Sequence, residues 1–408
     1  MRRSLFSFST VPALILFASS AVSPFVAHDA REFDFPPSLP FHTDYYAIDS
    51  LIKHSREPGF LKFRVISAHA DYEVEGWTAL TVLLREIEVI ERLHRGMDET
   101  TGFWDGFSGS WVGLARGLYG LLRHPVASVK GVGVAGKKAG RRISSAVRGR
   151  EPGERTMAEE KILGDSEREI ANMLGVDVYT ENPHLRELLF QMARARQSGK
   201  WAAFGSGFLV PMPGAVSIAL SAGSVNHMAD QIVNEHSRVD VYRLNLDRLL
   251  ALGFPEDEAK AFLNSPYLTP REATRMRSYL EELRALEGSE SLLQAACDIS
   301  SIWEGRRLLY AAELAVENRS WISDPARLRT DAVGIAAIGR EKIILFTPFD
   351  FLGEPPVDGL VLRAVADLAG EWPGRAVEIW NLGDVSEDFA ARAREQGLRV
   401  REWTAKRI

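Results

Sequence analysis

The spacing of apolar residues changes near Asp324–Pro325, and this change constrains the fold more than any other feature of the chain. Before it, apolar residues recur every three or four positions, which is typical of helices that bury one face. After it, short apolar runs alternate with helical segments and turn residues, which is typical of an α/β unit. With 408 residues, the chain is long enough for two or three domains. We therefore predict a mainly α protein, in which a helical body is followed by a small C-terminal α/β domain.

Capping signals predict where several helices of this body begin. Three pairs of residues carry such signals: Thr269 with Glu272, Asn182 with Pro183, and Ser166 with Glu169. Gly175 is expected to end the helix that Ser166 starts, because glycine commonly terminates helices. Two further helices are predicted over residues 73–95 and about 290–317.

The C-terminal part alternates between strand and helix signals. The apolar runs Val333–Ile338 and Ile343–Phe346 flank a polar turn, which predicts a β-hairpin. A helix, a strand, a second helix and a last strand are expected at about 356–369, 376–380, 386–395 and 398–403. The predicted order is ββαβαβ.

The first residues have the layout of a secretory signal peptide. Arg2 and Arg3 are followed by a short apolar core and small residues suited to cleavage. We predict four parts: a signal peptide 1–23, an extended linker 24–60 leading into the body, a helical body 61–325, and an α/β domain 326–408. The expected location is outside the cytoplasm, periplasmic or peripheral to the cell envelope, with membrane association left open. The single cysteine, Cys297, excludes an internal disulfide.

Positive charge is concentrated in the glycine-rich segment 106–150. This segment contains no Asp or Glu, although the whole chain has a formal charge of −6. A local basic block in an acidic protein predicts a local anionic partner, either anionic lipid or an acidic protein surface. The residues predicted to contact lipid or phosphate are Arg116, Arg123, Lys130, Lys137, Lys138, Arg141 and Arg142.

Small residues recur every four positions in two segments. They are Gly109, Gly113 and Gly117 in the basic segment, and Ala215, Ala219 and Gly223 in the uncharged apolar segment 201–229. This spacing places small residues on one helix face, so that another backbone can approach closely. We predict that helices 109–122 and 213–235 pack together. Whether 201–229 is a buried core helix or a membrane segment stays open.

The sequence carries no strong motif for a cofactor or a metal. Gly131–Lys137 matches a phosphate-binding loop only weakly, because the residue after the lysine is not Ser or Thr. Glu91-x-x-His94 has the spacing of a di-iron ligand pair, but its counterpart Glu181-x-x-His184 crosses a helix start. We therefore predict no cofactor, no metal and no nucleic acid partner.

Three stretches together resemble a family of exported bacterial proteins without a known activity. They are Leu174–Pro183, Ser265–Arg271 and Trp380–Trp403. The resemblance covers roughly residues 60–408 and implies that the helical and α/β parts form a real unit. It implies no cofactor and no catalytic residue.

These observations favour a non-enzymatic envelope protein, whose partner is an anionic membrane surface or another envelope protein. The alternative is an unrecognised hydrolase with its site at the strand ends of the α/β domain. Asp350 and Asp384 follow strands there, where α/β folds place their ligands. Convergence of both aspartates and a histidine in one pocket would favour the hydrolase. The oligomeric state is not predicted.

Overall fold

An N-terminal antiparallel sheet begins the fold. The computed structural model describes residues 27–29, 42–52, 58–68, 70–98, 157–197, 224–322, 326–353 and 355–403. The sheet has the order β1 (Ala27–Asp29), β2 (Tyr46–Ile52), β3 (Lys62–Ser67) and β4 (Asp71–Glu75). In β3, Phe63 and Val65 are fully buried, whereas Arg64 between them is exposed. This alternation gives the sheet one apolar face, which packs against a helix.

Three helices form a layer next to this sheet: α1 (Trp77–Asp98), α2 (Met157–Leu174) and α3 (Pro183–Gln197). Leu80, Leu84 and Ile87 in the first half of α1 pack against β2 and β3. Ile90 and Leu93 in its second half pack against α2 and α3. One helix therefore joins two hydrophobic clusters.

Six further helices complete the helical part: α4 (Ser224–Glu235), α5 (Arg238–Ala251), α6 (Glu256–Leu263), α7 (Pro270–Leu283), α8 (Glu290–Cys297) and α9 (Ile302–Glu317). A 3₁₀ turn, Arg319–Trp321, follows α9. The Ser237, Thr269 and Ser301 hydroxyls accept backbone N–H groups at the starts of α5, α7 and α9.

A five-stranded mixed sheet ends the described chain. Its strands are β5 (Arg327–Asp331), β6 (Gly334–Ile338), β7 (Lys342–Thr347), β9 (Ala376–Asn381) and β11 (Arg399–Glu402), in the order β11-β9-β7-β6-β5. The first three strands form an antiparallel meander, and β7, β9 and β11 are parallel. A short parallel pair, β8 (Phe351–Leu352) with β10 (Asp384–Val385), lies beside it.

Helices cover both faces of the five-stranded sheet. On one face, α10 (Val357–Glu371) and α11 (Glu387–Glu395) pack against Ile343, Leu345 and Ile379. On the other, α8 and α9 pack against Ile344 and Phe346. The second cluster continues into α7, so the sheet shares one hydrophobic core with the helices.

The prediction of a mainly α fold is wrong. The described residues form two sheets as well as the helices, so the fold is α+β. A helical part and a C-terminal sheet with helices are both present, as expected. The N-terminal sheet was missed: β1 and β2 lie within the predicted linker 24–60, and β3 and β4 lie within the predicted helical body 61–325.

Several element boundaries also differ from the sequence analysis. The helix expected over 73–95 begins at Trp77, because Asp71–Glu75 forms β4. Ser166 lies inside α2 and does not start it. The helix expected over 290–317 is two helices, with Ser301 capping the second. The hairpin around Gly339–Lys342 is confirmed, but β5 adds a strand before it.

Among the described residues, no helix combines the length and the apolar character that crossing a bilayer requires.

Candidate functional site

The residues predicted to bind lipid or to pack helices lie outside the described residues. This applies to Arg116, Arg123, Lys130, Lys137, Lys138, Arg141 and Arg142, and to Gly109, Gly113, Gly117, Ala215, Ala219 and Gly223. The predicted packing of helix 109–122 on helix 213–235 therefore stays a prediction. Of the second helix, Ser224–Glu235 is described as α4.

Asp350, one of the two aspartates of the hydrolase alternative, connects the C-terminal sheet region to the N-terminal sheet and to α1 by hydrogen bonds. It follows β7 and is buried. Its Oδ2 accepts the backbone N–H groups of Leu61 and Trp77, each at 3.0 Å. Trp77 is the first residue of α1, so the carboxyl group caps that helix from a distant part of the chain. Burial raises the pKa of Asp350 to about 7, and the two N–H groups oppose this rise.

Asp384 lies next to Asp350 but is exposed. Its backbone N–H donates to the Asp350 carbonyl oxygen at 2.9 Å, at the adjoining ends of two strands. An open cavity of about 420 Å³ near this end of the sheet is lined by Val385, Ala390, Val400, Arg401 and Glu402. Asp350 is not part of its lining, and the partners of its Oδ2 are backbone amides. The two aspartates are therefore neighbours without forming a shared pocket.

The loop 175–182, between α2 and α3, makes polar contacts with three helices. Asp177 Oδ2 lies 3.0 Å from Arg271 Nε of α7. Glu181 Oε2 lies 2.7 Å from Arg306 Nη2 of α9. The Thr180 hydroxyl donates to Glu86 of α1. This connecting loop therefore ties α1, α7 and α9 to each other.

The ion pairs continue beyond the connecting loop. Arg275 Nη2 lies 3.0 Å from each carboxylate oxygen of Asp230 in α4. Arg271 Nε is also 3.6 Å from Asp230, and Arg306 Nε is 3.7 Å from Glu272. Most of these side chains are largely buried, so the pairs are weakly screened by salt. Two stretches of the sequence, Leu174–Pro183 and Ser265–Arg271, thus meet at the Asp177–Arg271 pair.

A buried polar cluster lies on the α1 side of the connecting loop. Glu86 is buried against Thr180 and Asn182, and burial raises its pKa to about 8. Nearby, the Tyr72 hydroxyl lies 3.1 Å from His184 Nδ1. Burial raises the pKa of Tyr72 as well.

Both Glu-x-x-His pairs of the sequence lie in this part of the fold. Glu91 and His94 are buried in α1, and His184 is buried at the start of α3. Glu181, however, pairs with Arg306, whereas His184 Nδ1 lies beside the Tyr72 hydroxyl. Within the described ranges, no group of three or more His, Cys, Asp or Glu side chains is placed to hold a metal ion.

Position 175, at the end of α2, favours glycine for two reasons: its backbone is left-handed, and the Arg85 side chain lies close to it. Its φ is +65°, and a Cβ there would lie 2.7 Å from Arg85 Nη2. Burial lowers the pKa of Arg85, and the nearby Arg271 lowers it further. The end of α2 therefore lies beside the Arg85 guanidinium, which is repelled by the charge of Arg271.

We expect Gly175→Ala to lower the free energy of unfolding by about 2 kcal/mol, because a left-handed alanine costs roughly 1 kcal/mol and Arg85 must also move. Urea unfolding measures this loss. The matched control is Gly397→Ala: Gly397 ends α11 with a φ of +76° and has open space around a Cβ. It should lose only the backbone contribution, so equal losses would show that the Arg85 contact is unimportant.

Three tryptophans and an arginine form a tryptophan face on the α9 side of the five-stranded sheet. They are Trp321, Trp380, Trp403 and Arg401. Arg401 Cζ lies 4.9 Å from the ring centroid of Trp380 and 5.5 Å from that of Trp321. The rings of Trp380 and Trp403 stack with centroids 6.1 Å apart. Trp380 is fully buried, whereas Trp321 is 51% exposed.

The buried side chain of Glu378 binds two residues of the tryptophan face, Trp380 and Arg401. Its carboxylate accepts the indole N–H of Trp380 at 3.0 Å and lies 3.7 Å from Arg401 Nε. Lys342 Nζ adds a second cation, 5.9 Å from the Trp321 ring centroid. Cations over aromatic rings are attracted by the ring quadrupole. The exposed ring of Trp321 therefore lies beside two cations, Arg401 and Lys342.

The residues of the connecting loop network and of the tryptophan face were not predicted as site residues from the sequence. Arg271 and Asp177 belong to stretches that were singled out there, but only as caps and turns. The sole signal for the tryptophan face was the alternation of Glu378 with Trp380 and of Arg399 with Arg401, which places each pair on one side of a strand.

Comparisons of the chain with protein families, with curated proteins and with solved structures found no match.

Proposed function

We propose that this is an exported, non-enzymatic envelope protein, whose basic glycine-rich segment 106–150 contacts an anionic lipid surface. The observation that carries this proposal is the charge distribution: the segment has nine Lys and Arg residues and no acidic residue. Each cation near an anionic membrane contributes on the order of 1 kcal/mol to binding. The signal-peptide layout of residues 1–23 supports a periplasmic or peripheral location.

The geometry at the strand ends supports a non-enzymatic role over the hydrolase alternative. Asp350 is buried and uses Oδ2 to bind two backbone amides. A general acid or base must reach a substrate proton from a pocket. The open cavity nearby is lined by other residues, Val385 and Glu402 among them.

Liposome flotation tests the lipid contact. We expect the chain to float with vesicles that contain phosphatidylglycerol and to stay at the bottom with phosphatidylcholine alone. Replacing Lys137, Lys138, Arg141 and Arg142 with glutamine should weaken binding at least about tenfold. Salt should also weaken it, because exposed charges are screened over about 10 Å at 0.1 M.

A charge-matched variant separates local contact from net charge. Arg238, Arg243, Arg248 and Arg363 are exposed and lie on α5 and α10. Changing these four to glutamine removes the same charge and should leave flotation unchanged. Equal binding to neutral vesicles, or an equal loss in both variants, would contradict the proposal.

A further inference from the structure

The outer edge of β11 is open in the described part of the chain. β11 is the last strand of the five-stranded sheet, and no described strand pairs with its outer side. The Trp403 N–H donates to the Asn381 carbonyl of β9, so in the alternating pattern the backbone groups of Val400 and Glu402 point outward. At the other edge, β5 meets Glu287 through a bridge at Arg327. An open edge is a template for another strand.

The side chains of β11 give this edge two different faces. Arg399 and Arg401 point to the side of the tryptophan face, and their side chains are 78% and 45% exposed. Val400 and Glu402 point to the α11 side, where they line the open cavity of about 420 Å³. A strand added at this edge would therefore place alternate side chains on a cationic surface and at a cavity.

Charge determines which partner fits the cationic side. Arg401 and Lys342 lie over the Trp321 ring, and Arg399 lies on the same side of β11 as Arg401. The carboxylate of Glu378 is buried and shared between the two arginines, and Glu317 accepts the indole N–H of Trp403 at 3.0 Å. The two exposed arginines therefore make this side of the β11 edge positive. Trp and Arg are the side chains most enriched among residues that dominate binding energy at protein interfaces.

We propose that the outer edge of β11 binds an extended acidic peptide of a partner protein by strand addition. Acidic side chains of the peptide lie beside Arg399 and Arg401, and alternate apolar side chains face the cavity at Val385 and Val400. Backbone hydrogen bonds supply affinity, and the alternation supplies specificity. Antiparallel pairing with a second copy is disfavoured, because it would set the two arginines of each β11 on the same face against each other.

Fluorescence anisotropy with the full chain tests this proposal. The probe is a labelled, terminally blocked peptide of alternating Glu and Val. We expect micromolar binding that high salt weakens. A peptide with Lys in place of Glu should bind at least about tenfold more weakly, because its charge opposes the arginines. A peptide N-methylated at alternate residues should lose binding similarly, because it cannot complete the ladder.

Variants of the chain locate the binding edge. Arg399→Gln should weaken binding at least about threefold. Trp321→Ala should weaken it by a similar factor, because the Trp321 ring holds the Arg401 guanidinium in place. The matched controls are Leu360→Ala and Arg363→Gln on α10, which covers the opposite face of the sheet. They should bind as the unchanged chain does, and circular dichroism checks that each variant is folded.

The proposal is overturned by any of three results. The first is no binding at millimolar peptide in low salt. The second is equal binding of the methylated or the Lys peptide. The third is a loss in the α10 controls as large as that in Trp321→Ala.

Discussion

Replacing Asp350 with alanine is expected to lower the free energy of unfolding by about 4 kcal/mol. The carboxyl group is buried, and its Oδ2 accepts the N–H groups of Leu61 and Trp77. Without it, two buried donors lose their acceptor, and each costs about 1–3 kcal/mol. The Trp77 N–H is one of these two donors, so the loss of the cap of α1 is included in this sum. The loss should appear in urea unfolding as a lower midpoint.

Two variants show whether hydrogen bonding or charge is responsible. Asp350→Asn keeps one side-chain oxygen that can accept both N–H groups, so it should stay within about 1 kcal/mol of the unchanged protein. Asp384→Ala, at the exposed neighbouring strand end, should cost less than about 1 kcal/mol. If Asp350→Asn were as damaging as Asp350→Ala, the negative charge would be the important feature and the capping explanation would fail.

This contact illustrates what the sequence could not reveal. Asp350 is 289 residues from Leu61 and 273 residues from Trp77 along the chain. An aspartate after a strand is equally typical of a turn and of a ligand site, so its local pattern could not distinguish these roles from a cap on a distant helix. Only the packing of the segment after β7 against Gly59, Leu61 and the start of α1 gives the carboxyl group its partners.

Local signals predicted the helices well where one side chain determines the helix start. Thr269 and Glu272 form the predicted capping box, and Pro270 is the first residue of α7. Asn182 Oδ1 accepts the N–H groups of His184 and Leu185, as expected for the cap of α3. Such contacts span three residues, so the sequence contains them completely.

The N-terminal sheet shows where this reasoning was insufficient. In Lys62–Ser67, polar and apolar residues alternate only from Lys62 to Val65, and this strand signal is short. The prolines of residues 24–44 favoured a linker before this strand, and the strand itself was assigned to the helical body 61–325. The tryptophan face was missed for a different reason: it joins Trp321, after a helix, to strands that lie far along the chain.

The protein is expected to be more stable in mild acid than in mild base, by several kcal/mol. Burial raises the pKa of Glu86 to about 8; Asp177 and Glu181 add to the rise, whereas Thr180 and Asn182 oppose it. In the unfolded chain, the same group has the ordinary pKa of a glutamate, about 4.5. Between these values the folded state holds a proton that the unfolded state has released. Stability is therefore full below about pH 4.5 and falls as the pH rises to about 8.

Asp350 also makes the folded protein less stable as the pH rises, over a lower pH range than Glu86. Its pKa rises from 3.8 to about 7, mainly through burial, so its contribution is lost by about pH 7. Each pKa unit corresponds to about 1.4 kcal/mol. Between about pH 5.5 and about pH 8.5, Glu86 should account for a loss of roughly 3 kcal/mol and Asp350 for roughly 2 kcal/mol. Urea unfolding at the two pH values measures the sum.

Glu86→Gln tests the larger of these two contributions to the pH dependence of stability. Glutamine keeps an acceptor for the Thr180 hydroxyl but does not titrate, so more than half of the difference between the two pH values should disappear. The control is Glu88→Gln, two residues further along α1, where the carboxylate pairs with Arg92 near the surface. That variant should keep the full difference, because a partly exposed pair contributes at most about 1 kcal/mol. An unchanged pH dependence in Glu86→Gln would mean that Glu86 is ionised in the folded protein, and that the connecting loop stabilises its charge.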